Sequence, residues 1–152
     1  MAIERTLVLV KPGAVQRELT GEIITRFERK GIKIVGIKMM TMDDDMVEEH
    51  YSHLKEMPFF GNIKKTMQRT PIVALALEGH DIVKRVRVLT GDTNPREAAP
   101  GTIRGDYSIS LSNNVIHASA NHKEALDELQ RFFKEDELFN YNRMNVMDYS
   151  DN

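Results

Sequence analysis

Cysteine is absent from all 152 residues, which rules out disulfides, thiolate metal sites and a cysteine nucleophile and fits a reducing compartment. Long apolar runs are missing too. The stretch Leu7 to Val10 follows Glu4 and Arg5 and stops at Lys11, far short of the ~20 residues that a membrane span requires or of a signal-peptide core. A cytoplasmic protein with no membrane partner is therefore expected. No excess of positive charge is present either: 21 basic and 23 acidic side chains give a formal charge of −2, so no global field draws the chain to nucleic acid or anionic lipid. Nucleic acid is disfavoured as a partner, and any anion site has to be a local cluster. Neither Gly-x-x-x-x-Gly-Lys-Ser/Thr nor Gly-x-Gly-x-x-Gly occurs, which argues against Walker-type and protein-kinase-type phosphate binding. Internal repeats and low-complexity segments are also missing.

What remains is an ordinary globular composition, 41% hydrophobic and 29% charged. A chain of this length forms one core that buries roughly 68 to 70% of its unfolded surface. Thr6 to Val10 reads as a buried strand closed by the turn Lys11-Pro12-Gly13. Thr20 caps a helix to Lys30 with Ile23, Ile24 and Phe27 on one face and Gly31 at its stop. Ile32 to Met40 reads as a second strand, apolar on both sides, and so covered on both faces or paired with another subunit. Asp43 to Asp45 start a helix that Pro58 ends, and Phe60, Ile63 and Met67 mark another, so a helical hairpin precedes the strand Pro71 to Leu77. His80-Asp81 opens a helix with the stripe Ile82, Val86 and Leu89. Thr90 to about Ser108 reads as a long structureless connection, and loops of that length within a compact domain are usually functional. A fourth strand holds Val115 to His117, and Ala125, Leu126, Leu129, Phe132 and Phe133 give the last helix its buried face.

Four strands in two strand-helix-strand units predict an α+β fold. It is expected to be a ferredoxin-like antiparallel sheet with helices on one face, an inserted helical hairpin and a long active-site loop. The second face would be covered by the hairpin, the loop or a neighbouring subunit. One domain is expected over residues 1–139, with a tail at 140–152 that shows no clear period.

The chemistry-bearing side chains fall at element ends. Lys11 follows the first strand, Arg87 lies near the end of a helix, and Arg104 sits in the long loop. Guanidinium forks and an ammonium point charge together suit a polyphosphate, although Arg87 beside Lys84 and Arg85 also reads as a solvated surface charge. With no glycine-rich phosphate loop, such a ligand would be gripped by these side chains and a hydrated Mg²⁺. His117 ends an apolar strand near the arginine-bearing loop. A neutral imidazole there is a candidate nucleophile for phosphoryl transfer, and Glu128 is placed to orient it. Taken alone, such a histidine is more often structural. His50, His53, His80 and His122 match no zinc spacing and read as residues of helix faces or caps. Phe59, directly after Pro58, offers an aromatic face for a nucleobase or a residue for the core.

The segments Thr6 to Pro12, His50-Tyr51, Pro58-Phe59-Phe60, Arg87, Gly91 to Pro95, Pro100 to Asp106 and Asn114 to Ser119 together resemble the nucleoside diphosphate kinase family. The resemblance implies ping-pong transfer of the γ-phosphoryl group from a nucleoside triphosphate to a diphosphate with low base specificity. His117 would be the phosphorylated residue, oriented by Glu128 with Tyr51 and Ser119 nearby. Phe59 would stack the base, Lys11 and Asn114 would hold the ribose hydroxyl, and Arg87, Thr93 and Arg104 would hold phosphates. The partners implied are ATP and other nucleoside di- and triphosphates, Mg²⁺ and copies of the chain in a hexamer or tetramer. Gly13, Met57, Ala118 and Ala120 depart from the family's usual pattern. None removes a proposed ligand group, but two carboxylates are missing, so an alternative is a nucleotide-binding regulatory or interaction module with weak turnover.

Overall fold

The computed structural model describes residues 2–144. Four strands, β1 (Ile3–Val10), β2 (Lys33–Met40), β3 (Ile72–His80) and β4 (Ile116–Ala118), form one sheet in the order β2-β3-β1-β4. Every pairing in it is antiparallel. The helices are α1 (Pro12–Gln16), α2 (Thr20–Arg29), α3 (Asp44–His50), α4 (Phe60–Gln68), α5 (Ile82–Thr90), α6 (Ile103–Tyr107) and α7 (His122–Phe132). This is the ferredoxin-like α+β architecture that the strand-helix-strand pattern predicts.

Alternation along β1 divides its side chains between two cores. Val8 and Val10 join Ile23 and Phe27 of α2 and Ile82 and Val86 of α5. Leu7 and Leu9 point the other way, onto Val47 of α3, Met67 of α4 and Leu129 and Phe132 of α7. The crossover helices α2 and α5 thus share one face, and the hairpin and last helix cover the face that the sequence left open. Phe27 and Phe132, almost wholly buried, each contribute about 1.5–3 kcal/mol by leaving water.

Several boundaries differ from the sequence reading, each for a local reason. Lys11-Pro12-Gly13 continues into α1 instead of turning, because proline at the first helical position lacks only an N–H that would be unpaired anyway. β3 runs on to His80, held by pairing of Ile3 with His80, and Asp81 then turns the chain into α5 with a left-handed φ of 50°. The 90–108 connection is not structureless. It contains α6, whose N-terminus is capped by the Thr102 hydroxyl accepting from the Gly105 amide at 3.0 Å. In α7 the buried face is Ala125, Glu128, Leu129 and Phe132, whereas Leu126 is exposed.

β2 is an edge strand and is not covered on both faces: Ile37 and Met39 are exposed. Its register shifts between Ile34 and Gly36. This bulge leaves the Val35 carbonyl to accept from the Phe139 amide at 2.8 Å. Gly36 suits this close approach, since a Cβ would stand 2.9 Å from Leu138 and 3.0 Å from Phe133 and one of these side chains would have to shift. Beyond Phe139, the Tyr141 hydroxyl donates to the Ile34 carbonyl and Arg143 to that of Gly31. Residues 145–152 of the expected tail lie outside the described residues.

Candidate active site

β4 pairs with β1 so that His117 stands opposite Leu9, one residue short of the end of β1, after which Lys11 follows. The Lys11 amide donates to the Val115 carbonyl at 3.0 Å. Two residues widely separated in sequence thereby become neighbours on one sheet end.

Glu128 stands beside His117. His117 Nε2 lies 2.7 Å from Glu128 Oε2, and the Ser119 hydroxyl donates to the other carboxylate oxygen. Burial pushes the Glu128 carboxyl up, but the hydrogen bonds from His117 and Ser119 outweigh it and hold the group below its ordinary range. An ionised carboxylate only accepts. His117 therefore carries its proton on Nε2, and its Nδ1 lone pair is left for another reaction partner. The imidazole side chain keeps 24% of its exposure, against 9% for Glu128.

Behind this pair lies a group that sequence reading did not place in the site. His50, expected to be a bland helix-face histidine, is buried, and its ring packs edge-on against His117 with centroids 4.7 Å apart. Arg131 Nη1 donates to His50 Nδ1 at 2.9 Å. Burial, followed by the neighbouring His117, lowers the His50 pKa to about 3, so the ring is neutral. Ligand atoms of His50, His117 and Glu128 fall within 4.8 Å of one another, the one such group among the described residues, but a guanidinium already bonded to His50 opposes a cation there. Tyr51 is half-buried, and burial together with the Glu128 charge pushes its phenol up.

The cationic side of the site is built around Arg104, which is almost wholly buried. Its three nitrogens donate to the Asn114 side-chain oxygen at 3.2 Å, the Gly91 carbonyl at 2.8 Å and the Ile116 carbonyl at 3.2 Å. Asn114 in turn accepts from the Ser108 hydroxyl and the Ile116 amide and donates to the Thr93 carbonyl at 3.2 Å. Both side chains, expected at the ligand, are thus also the fasteners that bind the loop to β4. Gly105 lets α6 pack this closely, because a Cβ there would collide with the Ala99 carbonyl.

Charge of one sign predominates here, opposed at Arg104 by Asp92. Burial and then the adjacent Arg87 bring Arg104 down to about 10, while burial and then Arg104 bring Lys11 down to about 8. Arg87 itself is exposed and, with Gly91, Asp92 and Ala120, lines an open depression of about 680 Å³. A row of mutually repelling cations at one sheet end is an anion site.

Beside it opens a cleft of about 450 Å³ with Lys11, Tyr51 and Phe59 in its lining. Phe59, at the N-cap of α4, is 44% exposed, an aromatic face turned outward and not into the core. Leu111, Asn62, Thr66 and Ser112 also line this cleft. None was singled out from sequence, since Leu111 is an isolated apolar residue in a loop; its 63% exposure is the signal that the structure adds. Tyr51 also lines a cavity of about 410 Å³ that contains His117 and Glu128, so it stands between His117 and the cleft.

A nucleotide phosphotransferase is the class that this fold and this histidine beside a row of cations define. The model of the nucleoside diphosphate kinase family matches residues 4–138. A nucleoside diphosphate kinase of Parabacteroides distasonis is 52% identical over 145 residues, covering 95% of each chain. One from Pyrococcus horikoshii is 50% identical and covers 92% of this chain and 91% of its own. Among solved structures, the halophilic enzyme of Halobacterium salinarum in complex with CDP superposes with a TM-score of 0.90 at 43% identity, over 94% of this chain and 95% of that one. This chain belongs to the nucleoside diphosphate kinase family.

Proposed function

We propose that the protein transfers the γ-phosphoryl group of a nucleoside triphosphate to a nucleoside diphosphate in two steps through a phosphohistidine on His117. The observation that carries this reading is the 2.7 Å contact of His117 Nε2 with an ionised Glu128, which puts the single proton of a neutral imidazole on Nε2 and its lone pair on Nδ1. In the first step the Nδ1 lone pair forms a bond to the γ-phosphorus, and the bond from that phosphorus to the bridging oxygen breaks. The diphosphate leaves with the electron pair. In the second step an oxygen of an incoming diphosphate attacks the same phosphorus, and the P–N electrons return to Nδ1. Glu128, fixed by Ser119, stabilises the positive charge that the ring develops while it carries phosphate.

Lys11, Arg87, Thr93 and the remaining N–H groups of Arg104 hold phosphates. Lys11 and Asn114 contact the ribose, and Tyr51 orders the entry to His117. Phe59 stacks the base, opposite Leu111. Stacking and phosphate contacts do not read base edges, hence low base specificity. The pyrimidine nucleotide bound by the Halobacterium salinarum relative supports a cleft of this kind. Mg²⁺ fits as an ion carried by the nucleotide: the one clustered ligand set among the described residues is rich in imidazole and occupied by Arg131, whereas Mg²⁺ prefers oxygen and keeps its waters. When bound to the phosphates it would supply charge neutralisation.

We further infer a cytoplasmic homo-oligomer, hexamer or tetramer. The exposed Ile37 and Met39 on the edge strand β2 support a subunit contact, and among the described residues no helix is long and apolar enough to cross a membrane. A solution mass would test the assembly. The activity is tested by incubating the protein with γ-labelled ATP and Mg²⁺. An acid-labile phosphoprotein that GDP discharges is expected, and His117→Asn should lose labelling by a factor on the order of 10⁴ or more. An unlabelled parent protein would overturn the reading.

A further inference from the structure

Glu128 and Arg131 are three residues apart on α7, the spacing at which opposite charges on a helix normally pair. Here they do not. Glu128 gives one oxygen to Ser119 and the other to His117. Arg131 turns to α3, donating to His50 Nδ1 at 2.9 Å and placing Nε 3.3 Å from Glu49. The contact with Glu49 is an ion pair without the alignment of a hydrogen bond. A guanidinium has only donors, so the atom that it meets on His50 must be an unprotonated nitrogen, and burial keeps the ring in that neutral form.

We propose that Glu49 and His50 are positioning residues that park Arg131 away from Glu128, keeping the carboxylate free to orient His117. This rests on the phosphohistidine reading given above. The diversion matters because a guanidinium fork is a strong competitor for a carboxylate, binding through two parallel bonds and neutralising its charge. The distance to be crossed is short. His50 Nδ1, on which Arg131 rests, is only 3.7 Å from Glu128 Oε2, the oxygen that holds His117. Without an acceptor at His50, Arg131 swings onto that oxygen, and His117 loses both its hydrogen-bond acceptor and the charge that favours the phosphorylated ring.

The distinguishing measurement is rescue. Leu at position 50 removes the acceptor, so His50→Leu should slow single-turnover labelling of His117 by ATP about tenfold, a size usual for coupling within one charged network. Arg131→Gln alone should leave the rate within about twofold, because the arginine contributes nothing to the reaction while parked. His50→Leu combined with Arg131→Gln should recover most of the loss. A packing role for His50 would leave the double variant as slow as His50→Leu, and that result would overturn the proposal. Should His50→Leu fail to fold, Glu49→Gln on the exposed side of the pair takes its place: a smaller slowing that Arg131→Gln reverses supports the proposal, and an unchanged rate overturns it. The His117 Nε2 proton bonded to Glu128 supplies a second readout by NMR without nucleotide. Its downfield resonance should be lost in His50→Leu and regained in the double variant. If the parent protein fails to label, the phosphotransfer reading falls, while this resonance still decides whether Arg131 is held off.

Discussion

Two halves of the site differ in how far they are satisfied without a ligand. Around Glu128, the carboxylate, Ser119, His117, His50 and Arg131 form a sequence of contacts in which charge is matched and polar atoms have partners. Around Lys11, Arg87 and Arg104, charge of one sign is gathered with partial burial, and Phe59 and Leu111 turn apolar surface to solvent. The first half has its polar contacts in place without a ligand, whereas the second keeps cations close together and apolar surface exposed. On the phosphohistidine reading, substitutions at His117, Glu128, Ser119 and His50 should therefore act on the rate of transfer and those in the second half on binding, with the parked Arg131 outside both.

The largest separation is expected after loss of the nucleophile itself, as the labelling of His117→Asn would show. Glu128→Gln comes next. Keeping the shape but removing the charge should lower kcat by about 100-fold, the size of a lost preorganised electrostatic contact, with KM for the diphosphate little changed. Steady-state kinetics at fixed ATP would check it, and a change confined to KM would break the division. Phe59→Ala should do the reverse, raising KM by about tenfold from lost stacking at nearly constant kcat, to a similar extent for purine and pyrimidine diphosphates. A loss confined to one base would show that the cleft reads base edges.

A pH profile sharpens the comparison further. Lys11 is lowered from 10.5 to about 8, so its charge is present below that pH and lost above it. kcat/KM for an anionic nucleotide should fall as pH rises through about 8, and Lys11→Arg should move that limb to higher pH. The stability effect has the opposite sense. Between 8 and 10.5 the unfolded chain binds the extra proton, so Lys11 makes the fold less stable as pH is lowered across that window. The smallest expected effect lies outside both halves. Asn121 caps α7 by accepting from the Glu124 amide at 2.9 Å, and Asn121→Ala should cost about 1 kcal/mol in denaturant unfolding with kcat and KM unaltered.

Legibility in the sequence followed the range of the interaction. α2 could be read from its stripe and its stop, since Gly31 takes the positive φ that ends it, but Thr20 is its first helical residue and makes no capping bond, Leu19 holding the N-cap. The start of α3 was legible in its acidic run, where Asp43 accepts from the Met46 amide at 2.8 Å, whereas the helix ends at His50, well before Pro58. Glu128 could be proposed for His117 because only 11 positions separate them. His50 and Arg131, 81 positions apart, could not be connected, since their meeting depends on α3 packing against α7 over the sheet. Arg104 was legible as a cation but not as a buried fastener of its own loop. α6 was hidden by the Gly and Pro around it, although the Thr102 cap was present in the sequence.

By itself, then, the sequence determined the order of strands and helices, the cationic residues at element ends, the histidine on the fourth strand and the absence of any cysteine or glycine-rich phosphate chemistry. These rest on periodicity, capping and residue type, which act locally. Only the tertiary structure decided which nitrogen of His117 is free, where Arg131 spends its charge and how far Lys11 and Arg104 are shifted. Those depend on distances between elements remote in the chain and on the water that their packing excludes, and neither is written in any one segment.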